Sequence, residues 1–433
     1  MLHAELRTDA PRLTAAPDRR ASPPRLTAAP DRRQTSTIHS PMPTVTVLGG
    51  GMVGSVIATD IARDPHLAVT VADHRQDALD RCATRAARMG VKLTTQRADL
   101  ADPAHVRALA AESDLVCGAM ASGIALAAMR AVIEAGRCYC DISFMPEDFT
   151  QLHALALSRG VTVVPDCGVA PGMSHILAAA AAAELHRCEA LDIFVGGLPT
   201  VRTWPFEYKA AFSPADVIEE YTRPARLVEN ARVVTREALS EPELINLPGV
   251  GTLEAFNTDG LRSLLHTLPL TRLREKTLRY PGHIELMRVL RHLGLMETAA
   301  VEVADQHGHP VHIRPRDLLA KLMFPHWAYQ PGETDLTVMR VEATGTDSAG
   351  TPARVTWDLL DHAQAESAAT PHTTSMARTT AFPCAIVAQL MLEGRLHAPG
   401  VNPPEKLPSF PGVLDALLTQ QADRGVIYRK IAS

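Results

Sequence analysis

The stretch Val45–Asp64, VTVLGGGMVGSVIATDIARD, constrains the fold of this chain more than any other. Gly49, Gly51 and Gly54 form a G-x-G-x-x-G pattern between an apolar strand pattern and a helical one, in which Val53, Ile57 and Ile61 recur four apart. The first glycine permits a tight turn, the second lets backbone approach a pyrophosphate, and the third lets helix and strand pack closely. Met52 and Val53 open the helix, whose free N–H groups and partial positive charge suit an anion. An acid about 20 residues on, at the end of a second strand, completes the pattern, and Asp73 in VTVADHR holds that place. Its carboxylate accepts hydrogen bonds from the adenosine ribose and repels a 2′-phosphate, so the expected cofactor is NAD. Arg75 is either a receptor for that phosphate or a solvated surface residue, so NADP is not excluded. Asp99, after a third strand, either closes the adenine pocket or caps a helix.

From residue 44 to 166 short apolar runs alternate with helical segments. The strands are expected at 45–48, 69–72, 91–95, 115–120, 138–143 and 161–165. The helices are expected at 52–63, 76–89, 104–111, 122–135 and 146–158. Such alternation, with right-handed crossovers, builds a doubly wound parallel sheet of the Rossmann type. After Gly168 the runs at 191–195, 226–228, 301–303, 311–313 and 337–343, and a DSAGTP turn before 355–359, predict an α+β substrate domain with a mixed sheet. The expected organisation is an N-terminal extension over 1–41, a dinucleotide-binding domain over 42–167, a substrate domain over 168–370 and a C-terminal segment over 371–433.

A net charge of −5 without a long basic run argues against a general nucleic-acid or acidic-membrane binder. No apolar stretch is long enough to span a bilayer. The seven cysteines form no CxxC pair, and the histidines form no HxxxH or HExxH pattern, so no metal site is expected. Scattered thiols fit a reduced, cytoplasmic compartment. Residues 1–41 repeat the decapeptide PRLTAAPDRR, are rich in Pro and Arg, and lack the apolar region of a secretory signal; disorder is expected there.

Five later blocks carry further information: YCDISFMPED (139–148), PDCGVAPGMSHIL (165–177), PFEYKAAFSPADVIEEYTRPARLVEN (205–230), GTLEAFNTDGLRSLLHT (251–267) and EKTLRYPGHIELM (275–287). Together with the glycine loop they resemble the saccharopine dehydrogenase-like family, in particular its lysine 6-dehydrogenase branch. The resemblance runs from about Thr44 to the end. It implies a two-domain, oligomeric enzyme with its amino-acid substrate in the cleft, and a C-terminal segment that returns to the dinucleotide-binding domain. It implies NAD-dependent oxidation of the side-chain amine of L-lysine to 2-amino-6-oxohexanoate, with release of ammonia. Where relatives more often carry Pro-Tyr or Pro-Phe after the fourth strand, this chain reads VCGAMASG.

Oxidising a carbon that bears an amine requires the neutral amine, whose ordinary pKa is near ~10.4, and then an attacking water, so a base is needed twice. Asp141, ending the fifth strand, is a candidate to hold and deprotonate the amine or orient the water; capping the next turn is its other open role. Lys209 is a second candidate base, with a snorkelling strand lysine as the alternative. Arg223 and Arg279 are candidates for the bidentate grip on the α-carboxylate, against surface pairing with Glu219, Glu220 or Glu285. Tyr208 and His283 are candidate substrate contacts within the matched blocks. Cys167, His175, Thr258 and Asp259 each stand between a cleft contact and a structural role. A saccharopine dehydrogenase or reductase acting on a secondary amine, and a dinucleotide-binding protein without catalysis, remain open beside the first reading.

Overall fold

The computed structural model describes residues 42–431, so the expected disorder of residues 1–41 lies outside the described residues. From Thr44 to Val164 the elements alternate. They are β1 (Thr44–Leu48), α1 (Met52–Ile61), β2 (Ala68–Asp73), α2 (Gln76–Met89), β3 (Thr94–Arg97), α3 (Pro103–Ala111), β4 (Leu115–Gly118), α4 (Ser122–Glu134), β5 (Cys138–Asp141), α5 (His153–Arg159) and β6 (Thr162–Val164). All six strands pair in parallel in the order β6-β5-β4-β1-β2-β3. The order reverses between β1 and β4, and in such sheets ligands bind outside the C-terminal strand ends beside that switch point. β4 is buried along its whole length because helices cover both faces, which is why it reads as an unbroken apolar run.

The third strand starts later than the sequence pattern predicts. Gly90 ends α2 in a left-handed conformation and the Val91 N–H bonds back to the Ala86 carbonyl. Residues 91–93 therefore belong to the helix cap, and pairing with β2 begins at Thr94 opposite Thr70.

The second half contains α6 (Met173–Glu184), β7 (Arg187–Pro199), α7 (Pro214–Thr222), β8 (Ala225–Glu229), β9 (Arg232–Arg236), β10 (Glu243–Leu247), β11 (Gly251–Asn257), α8 (Leu264–Thr267), β12 (Arg272–Arg279), α9 (His283–His292), β13 (Val301–Ala304), β14 (Pro310–Ile313), α10 (Pro315–Trp327), β15 (Asp335–Thr346) and β16 (Pro352–His362). After these come α11 (Ser375–Leu392), β17 (Gly400–Val401), α12 (Val413–Asp423) and β18 (Tyr428–Ile431). Nine strands form the mixed sheet, along β10-β11-β12-β7-β15-β16-β18 with β8 joining β12 to β9; only β7 and β12 pair in parallel. β13 and β14 make a separate hairpin.

The strands at 232–236, 243–247, 251–257 and 272–279 were not evident as strands from sequence pattern. β12, RLREKTLR, explains why: its charged side chains are carried into the sheet as ion pairs instead of marking a solvated face. Arg274 pairs with Asp192, Lys276 with Glu243 at 2.7 Å and Arg279 with Glu220 at 2.7 Å.

The C-terminal segment contributes to both sheets. β17 adds a parallel strand beside β6, whereas β18 pairs antiparallel with β16. α11 is buried along almost all of its length and packs against α1, β4 and β5 on one side and β15 on the other. Burying each large apolar side chain there contributes roughly 1.5–3 kcal/mol, so α11 ties the two layers together. Among the described residues, no helix is long and apolar enough to cross a membrane.

Candidate active site

The glycine loop has the geometry that dinucleotide binding requires. Gly49 has φ +103°, and a Cβ there would lie 2.2 Å from the Ala119 carbonyl oxygen; a Cβ on Gly54 would lie 2.0 Å from the Gly49 oxygen. Both glycines are therefore demanded by the protein's own packing. Gly51 differs, because an added Cβ would meet nothing within 4 Å. The space it leaves open lies at the N-terminus of α1, where a pyrophosphate fits. Met52, half exposed, and Val53 form the first turn beside it.

Asp73 is buried and shapes the same corner. Its Oδ2 accepts the Gly50 N–H at 2.8 Å and its Oδ1 accepts the Arg75 N–H at 2.8 Å. His74 and Arg75 are exposed beside it, and Arg97 donates to the His74 carbonyl oxygen. Asp99 is exposed and its carboxylate accepts the Ala101 N–H at 3.0 Å, while Asp102 caps α3. Both His74 and Asp99 line a groove of about 660 Å³ with Arg97 and His105.

Across the C-terminal ends of β4 and β5 the second half of the chain closes over the sheet. Ser213 caps α7, and Asp216, Glu220 and Arg223 follow at a spacing that puts them on one face of the helix and its C-cap. Ser122, the first residue of α4, donates to Asp216 Oδ1 at 3.1 Å. Arg223 lies over the Phe144 ring at 4.7 Å, and Arg262 shares that ring at 5.2 Å. Arg262 is spoken for: it pairs with Asp166 at 2.9 Å, both fully buried. Arg223 is not. Its Nη1 is buried without a hydrogen-bond partner, and burial holds its pKa below the usual guanidinium value.

Behind α7 a polar network runs through aromatic surroundings. The buried Arg279 donates from Nη2 to Glu220 Oε2 at 2.7 Å, from Nε to the Tyr221 hydroxyl at 3.2 Å and from Nη1 to the Leu278 carbonyl oxygen at 3.0 Å. Tyr208 supports it with its ring face at 4.4 Å. His283 sits 2.9 Å from the Tyr221 hydroxyl through Nε2 and 2.8 Å from the Phe206 carbonyl oxygen through Nδ1. A carbonyl can only accept, so Nδ1 carries the proton and Nε2 accepts from Tyr221. Burial, reinforced by Arg279, pushes His283 down to about 3 and keeps it neutral.

Three expected site residues take different roles in this geometry. Asp141 is fully buried, with Oδ2 bound by the Tyr139 hydroxyl and Oδ1 by the Ser143 N–H, so both its oxygens are engaged at the turn after β5. Burial raises its pKa to about 7. Lys209, a candidate base, has its Nζ held by Glu333 at 2.6 Å and the Ala328 carbonyl oxygen at 3.1 Å. Arg279 has its guanidinium engaged by the chain itself, whereas Arg223 Nη1 has no partner.

The remaining candidates are engaged within the chain. Cys167 belongs to the core, and burial raises its thiol far above the usual range. His175 bonds Ser174 and the Leu261 carbonyl oxygen, and burial lowers it to about 4. Asp259 makes a bidentate pair with Arg226, and Thr258 bonds Glu275 and Thr277. Cys117, Cys140 and Cys384 bring their sulfurs within 4.8 Å of one another in the core. Mutual S–H contacts and burial hold these thiols well above their usual pKa.

Glu220 was expected only as a surface partner of an arginine, and Phe144 and the Asp216–Ser122 contact were not expected from sequence. The signal available for the first was the SPADVIEEYTR stretch, whose spacing places two acids and an arginine on one helix face.

A parallel sheet with a glycine-loop dinucleotide cradle, closed by a charged helix of a mixed-sheet domain, defines a nicotinamide-dependent oxidoreductase of two-domain type. The family follows from comparison: residues 45–164 match the saccharopine dehydrogenase NADP binding domain and residues 168–426 the saccharopine dehydrogenase C-terminal domain, so the chain belongs to the saccharopine dehydrogenase family. It is 22% identical to the saccharopine dehydrogenase [NADP(+), L-glutamate-forming] of Schizosaccharomyces pombe, over 87% of this chain and 97% of that one. It is 23% identical to the mitochondrial alpha-aminoadipic semialdehyde synthase of Mus musculus over 83% of this chain, spanning 45% of that longer protein. The apo saccharopine dehydrogenase (L-Glu forming) of Saccharomyces cerevisiae has the same fold, with a TM-score of 0.72 at 18% identity over 90% of this chain and 100% of that one.

Proposed function

We propose that this enzyme oxidatively deaminates the side-chain amine of L-lysine with NAD. The observation that supports the reading is the unpaired guanidinium nitrogen of Arg223, beside the ends of β4 and β5. Arg226, Arg262 and Arg279 are each paired by a carboxylate of the chain, whereas Arg223 presents a buried nitrogen with no partner. Among these four arginines of the described residues, one without a carboxylate partner matches a substrate with one carboxylate. A substrate carrying three would need two of the internal pairs to be broken, each leaving a buried charge uncompensated at several kcal/mol.

The bound dinucleotide supplies the hydride acceptor. Gly51 and the α1 N-terminus would hold its pyrophosphate, and Asp73 would receive the adenosine ribose with a charge that opposes a 2′-phosphate. Arg223 grips the α-carboxylate and thereby sets which carbon of the substrate lies against the ends of β4 and β5. Closure by α7 excludes water from that space, strengthening each charge interaction within it.

A second reading has support. The Schizosaccharomyces pombe relative is named as an NADP(+)-dependent saccharopine dehydrogenase, and His74, Arg75 and Arg97 cluster beside Asp73. Steady-state kcat/KM for L-lysine and for saccharopine, each with NAD and with NADP, separates the two. L-Lysine with NAD should give the highest value; a maximum with saccharopine and NADP overturns the reading.

A further inference from the structure

We propose that Glu220 takes the proton from the reacting amine, and that Arg279, Tyr221 and His283 are the positioning residues that aim it. This deepens the amine-oxidising reading above and rests on it.

Placement comes first. Asp216 and Arg223 lie one turn to either side of Glu220, and both touch the nucleotide sheet, at Ser122 beyond β4 and at Phe144 beyond β5. Glu220 is thus carried between two fixed points that straddle the C-terminal ends of adjacent strands, where this fold presents the reacting end of its cofactor. Its side chain is 20% exposed. Oε2 is fastened from behind by Arg279, while Oε1 has no hydrogen-bond partner among the described residues. The other acids near the sheet ends are engaged: Asp141 by Tyr139 and Ser143, Asp166 by Arg262, Asp216 by Ser122.

The network behind Glu220 has one consistent proton arrangement. The His283 Nδ1–H donates to the Phe206 carbonyl oxygen, the Tyr221 hydroxyl donates to Nε2, and the Tyr221 oxygen accepts from Arg279 Nε. Arg279 is therefore fixed in plane with its Nη2 aimed at the carboxylate, an assembly more elaborate than a structural ion pair on an exposed helix requires.

The chemistry balances. The ammonium proton passes to Glu220 Oε1, freeing the nitrogen lone pair. That pair forms the C=N bond as hydride leaves the ε-carbon for the bound dinucleotide. Water then adds to the iminium carbon and sheds a proton to solvent. Glu220 then returns its proton to nitrogen, and as the C–N bond breaks the carbinol hydroxyl gives up its own proton to solvent, so that ammonia and the neutral aldehyde leave with two protons released in all. Groups facing Glu220 are Arg279, Glu275, Tyr208, Tyr221, Asp216 and Arg223. The two arginines favour its ionised form; burial and Asp216 oppose it, and its pKa lies above the usual carboxylate value.

The test is Glu220→Gln in the full chain, with L-lysine and NAD, read as kcat, KM and pH profile beside NADH binding by fluorescence. We expect kcat to fall about 10²- to 10⁴-fold, KM to change less than about tenfold and NADH binding to stay unchanged. The acid limb of kcat/KM should vanish, the residual rate rising until the amine ionises by itself. Glu220→Asp is read in parallel in case the glutamine variant does not fold, and it should keep the acid limb at reduced kcat. Arg279→Lys should move that limb to higher pH, since a looser cation stabilises the carboxylate less; a purely structural role would lower the melting temperature and leave the limb in place. A Glu220→Gln kcat within threefold of wild type, an unaltered acid limb, or wild-type kcat in Glu220→Asp overturns the proposal. If wild type turns over a different amine, the same variants are read with that amine and Glu220 stands or falls separately. No turnover of any amine by wild type overturns both readings.

Discussion

Replacing Gly51 by alanine separates what the glycine loop does for folding from what it does for the cofactor. Gly51 has φ −70° and ψ −165°, which any residue can adopt, and a Cβ there meets no protein atom within 4 Å. Reduced unfolded-state freedom stabilises an alanine variant by about 0.4–1 kcal/mol. Loss of glycine at a helix N-cap costs a similar amount, so net stability should change by less than about 1 kcal/mol. The same methyl occupies the space through which a pyrophosphate approaches the backbone. Displacing the phosphate enough to lose one charge-assisted hydrogen bond costs about 1.5–3 kcal/mol, or roughly 10- to 150-fold in Kd. NADH fluorescence titration gives Kd, and calorimetric melting of the same preparation gives stability. Gly54→Ala, whose Cβ would lie 2.0 Å from the Gly49 oxygen, should instead lose stability and binding together. A Gly51→Ala protein that melts like wild type and binds NADH with unchanged Kd would refute the cradle.

Other consequences are accessible to standard assays. Asp73→Ala should weaken NAD and narrow its preference over NADP; an unchanged kcat/KM ratio between the two cofactors would contradict the role given to the carboxylate. Arg223→Met should raise KM for L-lysine at least tenfold, through loss of a charge-assisted carboxylate contact, with NADH binding intact; an unchanged KM would move the carboxylate site elsewhere. Asp141, raised to about 7 by burial, favours folding in its protonated form. Its contribution is present below about pH 4 and is lost as pH rises through 7, up to about 4 kcal/mol at three pKa units. Asp141→Asn should therefore flatten the pH dependence of urea unfolding between pH 4 and 8, and parallel curves for the two proteins would contradict this. Lys209→Met should lower the melting temperature by releasing Glu333, while kcat falls less than threefold; a larger fall in kcat would restore Lys209 as a candidate base.

The nucleotide-binding half was legible because each of its signals is local. Strand, glycine turn, helix and acid are contiguous, and strands buried on both faces read as apolar runs. The mixed sheet was less legible. β12 hides Glu275, Lys276 and Arg279 inside the sheet, a pattern that resembles a solvated segment until partners from β10 and α7 are brought in. The site was legible in part for the same reason. Arg223 was a candidate from its residue type, but its freedom depends on Asp166, Asp259 and Glu220 having already taken the neighbouring arginines. Asp141 and Lys209 were the residue types the chemistry calls for, yet Tyr139, Ser143 and Glu333 occupy them, and no spacing rule announces those contacts. Glu220 reads as one of two consecutive surface glutamates until Arg279 arrives behind it.

The most direct test of the central claim is the amine released per NADH formed. With purified enzyme, NAD and L-lysine at alkaline pH, NADH is followed at about 340 nm and ammonia is assayed in the same samples. Oxidative deamination of a primary amine predicts equal amounts of the two. NADPH formation from saccharopine alone, with glutamate released and no ammonia, would contradict it.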